Sequence, residues 1–186
     1  MIIDRSPSSE VKTLKPQIYK DHRGFFTELM SPRFLSMELP GVHFVQDNLS
    51  VSQPRVLRGL HFQSDPAQGK LVTCLSGRIF DVAIDVRKGS PSFGKCHSVE
   101  LSGDEIQWFW VPPGFAHGFC VLGEEPAKVL YKVTGSFNPR GDSGILWNDA
   151  DLQIPWPVSH PVLSEKDQKL SSFRSYEEAP VFSMRL

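Results

Sequence analysis

The chain has 186 residues, of which 40% are hydrophobic and 22% are charged, as in an ordinary globular protein of one domain. Its 20 basic and 21 acidic residues leave a formal net charge of -1, which argues against nucleic acid or an anionic membrane as a partner. The 14 glycines, 15 prolines and 13 phenylalanines favour many short strands joined by turns over long helices.

Two further features concern the setting of the protein. No apolar run approaches the roughly 20 residues of a membrane span, and the N-terminus lacks a basic stretch followed by an apolar segment. The three cysteines contain no CxxC pair and indicate neither a disulfide framework nor a thiolate zinc site. We therefore expect a cytoplasmic protein in a reducing compartment.

The first clear element along the chain is a short helix. Ser31 is a suitable N-cap, and Pro32 suits the first helical position. Apolar residues follow before Pro40 and Gly41 end the helix.

Strands are predicted for most of the remaining chain. In residues 80–87, Phe80 and Val82 alternate with Asp81 and Ala83, the period of a half-buried strand. Just before this strand, Ser76-Gly77 has the composition of a hairpin turn. The other candidate strands are residues 42–52, 56–63, 70–75, 96–101, 106–111, 117–122 and 128–133.

Regularly spaced short strands predict a mainly β chain, folded as a sandwich or barrel with few short peripheral helices. No internal repeat divides residues 1–186, so we expect a single domain. The segment 155–186 is rich in proline and charge, and we expect it to wrap the outside of the β-structure.

Polar side chains cluster on two of the predicted strands within aromatic surroundings. Since an unpaired buried polar group costs roughly 1–3 kcal/mol, so many polar residues indicate a ligand cavity, with a solvated sheet face as the alternative. Arg58 and His61 are an odd number of positions apart, so both can face the cavity only if Gly59 marks a bulge or kink. The residues concerned are Gln46, Asp47, Asn48, Arg58, His61 and Gln63.

A proline-glycine turn at residues 112–114 presents His117 at the start of an apolar strand. The simpler interpretation is a core histidine held by a backbone partner. However, the pattern Pro-x-Gly-x-x-His resembles the second motif of the cupin superfamily, a jelly roll or double-stranded β-helix. Residues 59–63 resemble the first cupin motif, but Gln63 stands in place of its second histidine. A set of three or four metal ligands cannot be assembled, so we expect a cupin-type barrel without a catalytic metal.

A more specific resemblance emerges from the order and spacing of nine blocks. The blocks are similar to the dTDP-4-dehydrorhamnose 3,5-epimerase family, and the resemblance covers about residues 14 to 170. The blocks are residues 21–28, 44–50, 57–63, 68–72, 80–87, 114–119, 130–132, 144–149 and 163–167.

The resemblance implies a dTDP-linked 4-keto-6-deoxyhexose substrate, inverted at the carbons that flank the ketone. The ketone acidifies the hydrogens on those carbons, so the chemistry needs a base, an enolate stabiliser and an acid on the opposite face. It needs neither a redox cofactor nor a metal. The product would be dTDP-4-dehydro-L-rhamnose, for dTDP-L-rhamnose biosynthesis.

Four residues match the catalytic positions of the family. His61 matches the base, and imidazole groups titrate near neutral pH. Asp167 matches the carboxylate that orients this histidine. Lys70 matches a cation near the enolate oxygen, and Tyr131 matches the acid.

The resemblance also implies a nucleotide-sugar site and a homodimer. In the family, the N-terminal strands, here within residues 1–40, reach into the partner subunit's site. The residues matched to substrate binding, besides Lys70, are Arg23, Phe26, Glu28, Gln46, Asp47, Asn48, Arg58, His117, Phe137, Asp142 and Lys166.

The chain departs from the family pattern after Tyr131. Family members usually show two adjacent tyrosines where this chain has Ser136 and Phe137, and Phe137 matches the ring that stacks on thymine. Asp142 stands where the family has a glutamate. Stacking needs only a ring face, so the chemistry is expected to survive these changes. They leave open which nucleotide base and which sugar the protein binds, and whether it inverts one carbon or both.

Two other classes of protein remain as alternatives. A non-catalytic cupin module that binds sugars would not need the set of His61, Asp167 and Tyr131. A metal-dependent cupin enzyme would need more ligands than His61 and His117 supply.

Overall fold

In the computed structural model, residues 10–184 are described, and strands dominate them. In chain order the elements are β1 (Lys12–Leu14), β2 (Ile18–Asp21), β3 (Gly24–Thr27), α1 (Pro32–Glu38), β4 (Gln46–Ser52), β5 (Leu57–Gln63), β6 (Lys70–Ser76), β7 (Arg78–Asp85), β8 (Cys96–Ser102), β9 (Trp108–Val111), β10 (Phe115–Leu122), β11 (Ala127–Val133), β12 (Asp142–Gly144), a 3-10 helix (Asp167–Lys169) and α2 (Phe173–Glu178).

Two antiparallel sheets of five strands face each other. The first has the order β1-β9-β6-β11-β4, and the second has the order β12-β5-β10-β7-β8. The chain passes repeatedly from one sheet to the other, which confirms the predicted jelly roll. Strands β2 and β3 form a separate two-stranded hairpin.

The predicted helix is confirmed as α1. The Oγ of Ser31 accepts a hydrogen bond from the backbone N–H of Phe34 at 3.3 Å, and Pro32 occupies the first turn. Both helices are short, and no helix within residues 10–184 is long and apolar enough to cross a membrane.

The second sheet is buried on both faces. On its inner face, Ile79 and Ala83 of β7 join a core with residues of the first sheet. On its outer face, Val82 and Ile84 pack against Phe173 and residues near it in the C-terminal segment. The prediction of a half-buried strand at 80–87 was therefore wrong, because the segment after residue 155 covers the face that would otherwise meet solvent.

The hairpin predicted at Ser76-Gly77 was also wrong. Strands β6 and β7 meet there but belong to different sheets, so the chain turns a corner between the sheets. Gly77 has φ +76°, and a Cβ on it would lie 2.6 Å from the carbonyl oxygen of Pro126. Ser76-Gly77 has the composition of a tight turn, as predicted. The pairing of the strands on either side is decided by residues distant in sequence.

Candidate active site

A cavity of about 330 Å³ opens between the two sheets. The first sheet contributes side chains from β4, β6 and β11, and the second sheet contributes side chains from β5, β10 and β12. Its lining consists of Asn48, Ser50, Arg58, His61, Gln68, Lys70, His117, Phe119, Tyr131, Val133, Phe137, Asp142, Ser164, Lys166 and Asp167.

Gly59 brings Arg58 and His61 to the same side of β5. Its φ is +117°, and the pairing of β5 with β10 shifts register between His117 and Phe119. A Cβ on Gly59 would lie only 2.6 Å from the Cα of Gly118, so the kink needs glycine. The expected kink is thereby confirmed, and both side chains line the cavity.

His61 and Asp167 form a closely hydrogen-bonded pair. His61 Nε2 lies 2.5 Å from Asp167 Oδ1, and Asp167 is only 3% exposed. Burial works to raise the pKa of Asp167, but hydrogen bonds from His61 and Ser164 outweigh it and hold that pKa below its usual range. The ionised carboxylate fixes the ring and favours a proton on Nε2, which leaves Nδ1 to act as a base.

Lys70 lies close to the same histidine. Its Nζ donates a hydrogen bond to the carbonyl oxygen of His61 at 3.1 Å. Burial lowers the pKa of Lys70 to about 8, against the opposing influence of the Asp142 and Asp81 carboxylates. The ammonium is thus poorly solvated, and an anion developing beside it would be strongly stabilised.

Tyr131 reaches the cavity from the opposite sheet. Its Oη lies 3.1 Å from the Oγ of Ser50, and its ring meets the ring of His117 edge-on at 6.2 Å. Burial raises the pKa of Tyr131 above its ordinary value. The phenol therefore keeps its proton at neutral pH and is available as an acid.

A second histidine–carboxylate pair includes His117, which lines the cavity. His117 Nε2 lies 2.7 Å from Asp81 Oδ1, and both side chains are buried. Burial raises the pKa of Asp81, although the charges of His117 and Lys70 work to lower it. Asp81 Oδ2 has no hydrogen-bond partner within residues 10–184. His117 is thus held by a carboxylate and not by the backbone partner of the simpler interpretation.

Charged and amide groups surround the cavity entrance. Lys166 Nζ lies 2.5 Å from Asp142 Oδ2, and Arg58 donates from Nε to Ser52 Oγ at 3.0 Å. Gln46 donates from Nε2 to Asn48 Oδ1 at 2.7 Å. These groups offer cations and neutral donors to an anionic ligand.

Phe137 presents its ring at the same entrance. Its backbone N–H donates to the Oε1 of Gln46 at 3.3 Å, and the residue is 62% exposed. An exposed ring of this kind offers a face to a planar group.

Five predicted binding residues are absent from the lining, and one of them, Gln46, only contacts lining residues. Asp47 faces away from the cavity, where its carboxylate accepts from Lys132 Nζ at 2.7 and 2.8 Å. Arg23 and Phe26 belong to the β2–β3 hairpin and line a separate surface cavity of about 350 Å³. Glu28 directly follows that hairpin.

Sequence reasoning missed several lining residues, notably Ser50 and Ser164, and the buried Asp81. Ser50 could have been found, because it alternates with Asn48 along one strand. Asp81 was placed on the face expected to meet solvent. No group of three or more His, Cys, Asp or Glu side chains within residues 10–184 is arranged to hold a metal ion.

Comparison with known proteins reveals extensive similarity. A sequence profile for the family described as dTDP-4-dehydrorhamnose 3,5-epimerase matches residues 6–175. A relative from Shigella flexneri with that name is 46% identical over 170 residues, covering 90% of this chain and 93% of the relative.

Solved structures agree with the sequence comparison. A dTDP-6-deoxy-D-glucose-3,5-epimerase from Legionella pneumophila, in complex with dTDP-4-keto-L-rhamnose, has a TM-score of 0.91 and 42% identity and covers 97% of both chains. A 3'-monoepimerase from Streptomyces bikiniensis, in complex with dTDP-quinovose, has a TM-score of 0.85 and 28% identity, covering 94% of this chain and 89% of that one.

Proposed function

The chain belongs to the dTDP-4-dehydrorhamnose 3,5-epimerase family, and we propose that His61 and Tyr131 are the base and acid of its reaction. The enzyme is an isomerase that inverts C3' and C5' of dTDP-4-dehydro-6-deoxy-D-glucose. The product, dTDP-4-dehydro-L-rhamnose, belongs to the biosynthesis of dTDP-L-rhamnose.

The first step is removal of a proton from a carbon next to the ketone. His61 Nδ1 accepts that proton while Asp167 stabilises the imidazolium through Nε2. The electron pair of the broken C–H bond forms a double bond to the carbonyl carbon. The π electrons of the carbonyl group move to its oxygen, which gives the enolate. Lys70, with its poorly solvated ammonium, stabilises the charge on the enolate oxygen more than it stabilises the neutral ketone.

The second step is protonation of the same carbon from the opposite face. Tyr131 gives its phenolic proton to the carbon, the enolate collapses to the ketone, and the configuration is inverted. Water then takes the proton from His61 and returns one to the phenolate. The same cycle acts at the second carbon.

The observation that carries this proposal is the position of the two groups on facing sheets. His61 comes from β5 of the second sheet with its carboxylate partner, and Tyr131 comes from β11 of the first sheet. A base and an acid that face each other across one cavity are what inversion requires. A module that only binds sugars has no need of them.

The nucleotide part of the substrate fits the cavity entrance. Arg58 and Lys166 provide cations for the diphosphate, and Asn48 provides an amide donor. Phe137 stacks on the thymine through its exposed ring, which needs no hydroxyl group.

We further propose that the protein is a cytoplasmic homodimer. Two large apolar side chains are left exposed for such an interface. Phe26 on the β2–β3 hairpin is 67% exposed, and Leu49 on the edge strand β4 is 62% exposed. In the dimer, the hairpin of one subunit brings Arg23, Phe26 and Glu28 to the cavity of its partner. Residues 1–9 of the N-terminal segment lie outside the described part of the chain.

Deuterium incorporation from heavy water tests the assigned chemistry. With dTDP-4-dehydro-6-deoxy-D-glucose, we expect the wild-type enzyme to label both C3' and C5'. The variant His61→Asn should abolish both labels, because its amide cannot accept the proton. Circular dichroism would establish that this variant is folded.

Two results would speak against the assignment. Label at a single carbon would favour the single-carbon epimerase. Undiminished labelling by folded His61→Asn would remove His61 from the role of base.

A further inference from the structure

Ser50 contacts the phenol of Tyr131 but takes no part in either proton transfer of the proposed reaction. It lies in β4 between Asn48 and Ser52, and residues at alternate positions of a strand share a face. In the pairing of β4 with β11, Ser50 is opposite Val129 and Asn48 is opposite Tyr131. Ser50 therefore reaches Tyr131 diagonally, and its Oγ lies 3.1 Å from the phenolic oxygen.

The direction of this hydrogen bond affects the reaction. If Tyr131 donated its proton to Ser50, that proton would point away from the sugar. If Ser50 donates, the phenolic proton remains available for the sugar carbon, and the C–O–H torsion of the phenol is restricted. Either group can donate in the resting enzyme.

Ser50 also bears on the state that follows proton transfer. Tyr131 then carries a phenolate in surroundings where burial and the charge of Asp81 raise its pKa. The hydrogen bond from Ser50 works in the opposite direction, as does the more distant charge of Arg58. A hydrogen bond to a charged oxygen is stronger than one to a neutral oxygen, so this contact strengthens as the proton leaves.

We propose that Ser50 is a positioning residue for inversion, donating its hydrogen bond to Tyr131 so that the phenol delivers its proton to the sugar. The inference rests on the proposed function, because it requires Tyr131 to be the acid. The proton balance is unchanged: Tyr131 loses its proton to carbon, Ser50 keeps its own while stabilising the phenolate, and water restores the phenol.

The test separates proton removal from inversion in four variants: Ser50→Ala, Ser50→Thr, Tyr131→Phe and the double variant with alanine and phenylalanine. The rate of deuterium exchange without inversion measures proton removal by His61, because His61 can return a solvent deuteron to the face from which it took the proton. Formation of the inverted product reports Tyr131. Both are followed with dTDP-4-dehydro-6-deoxy-D-glucose in heavy water.

For Ser50→Ala, we expect the kcat of inversion to fall by about ten- to a hundredfold, with exchange without inversion and KM changed by no more than about twofold. Ser50→Thr keeps the hydroxyl and should recover most of the loss. In the Tyr131→Phe background, removing the Ser50 hydroxyl should cause no further loss of inversion, because the two residues act as one unit.

Three results would overturn the inference. A raised KM with an unchanged kcat would make Ser50 a substrate contact. A further loss of inversion in the Tyr131→Phe background would show that Ser50 acts independently of the phenol. Full inversion by the single variant Tyr131→Phe would show that Tyr131 is not the acid. That result would count against the proposed function as well.

Discussion

At the scale of single residues, Lys70 should determine the alkaline side of the pH profile. Stabilisation of the enolate needs the ammonium form, and burial lowers the pKa of Lys70 to about 8. We therefore expect kcat/KM to decline above about pH 8, by about tenfold per pH unit. The measurement is a pH–rate profile for the wild-type enzyme and for Lys70→Met, whose weak residual activity should lack this decline.

The same lysine has the opposite effect on stability, so its deprotonation would not itself unfold the protein. Between pH 8 and the ordinary pKa of lysine, the unfolded chain binds a proton at this position that the folded chain has lost. The Lys70 contribution to the free energy of unfolding thus rises with pH in this range. A melting temperature that fell together with activity between pH 8 and 9, or a profile without a decline, would contradict the assignment.

Single residues also show how far the sequence can predict this site. The resemblance to a family named His61, Lys70, Tyr131 and Asp167, and the structure brings all four to one cavity. It assigned no role to Ser50, although this residue lies in one of the matching blocks. Period-two alternation correctly placed Asp81 and Phe80 on opposite faces of their strand. Alternation alone cannot say which of the two faces meets solvent.

At the scale of elements, the kink in β5 is a sensitive point. Gly59→Ala adds a Cβ that would lie 2.6 Å from Gly118 at φ +117°. We expect a loss of more than about 3 kcal/mol in the free energy of unfolding, because strain and overpacking act together. Any folded fraction should be nearly inactive, since Arg58 and His61 would no longer face the same cavity.

A matched control for this substitution is Gly123→Ala. Gly123 also has a positive φ, +76°, but a Cβ there would meet nothing within 4 Å. We expect a loss of about 1 kcal/mol, from backbone strain alone, with normal activity. Urea unfolding and kcat measure both variants. Equal losses in the two would show that the close approach of β5 to β10 does not matter.

Elements differ in how well local sequence predicts them. Helix α1 was predicted from an N-cap at Ser31, a proline at Pro32 and the terminating pair Pro40-Gly41. Each of these signals acts within a few residues. The kink at Gly59 was predicted because Arg58 and His61, which are three positions apart, cannot face the same side of a regular strand. The corner at Gly77 was not predicted, because a tight turn has the same composition whether its strands pair with each other or with distant strands.

At the scale of the whole molecule, the proposed dimer shares its active sites. Subunits with His61→Asn and subunits with Arg23→Ala should each be inactive or weak alone. After unfolding and refolding as an equal mixture, half of the dimers are mixed, and each of these has one intact site. We therefore expect about a quarter of the wild-type activity to return.

The mixture discriminates between two arrangements. If the hairpin served the cavity of its own subunit, each mixed dimer would have two defective sites and the mixture would stay inactive. Sedimentation of the mixture would confirm that dimers are present. A monomer at micromolar concentration would contradict the proposal directly.

The position of His61 and Tyr131, the proposed base and acid, on facing sheets bears on the configuration of the product. Packed sheets are separated by about 10 Å, a distance set by the side chains that fill the space between them. We expect that distance to match a hexose ring that presents one face to His61 and the other face to Tyr131. On the proposed mechanism, the configuration of the product would then depend on the separation of the two sheets, because that separation places the base and the acid on opposite sides of the sugar.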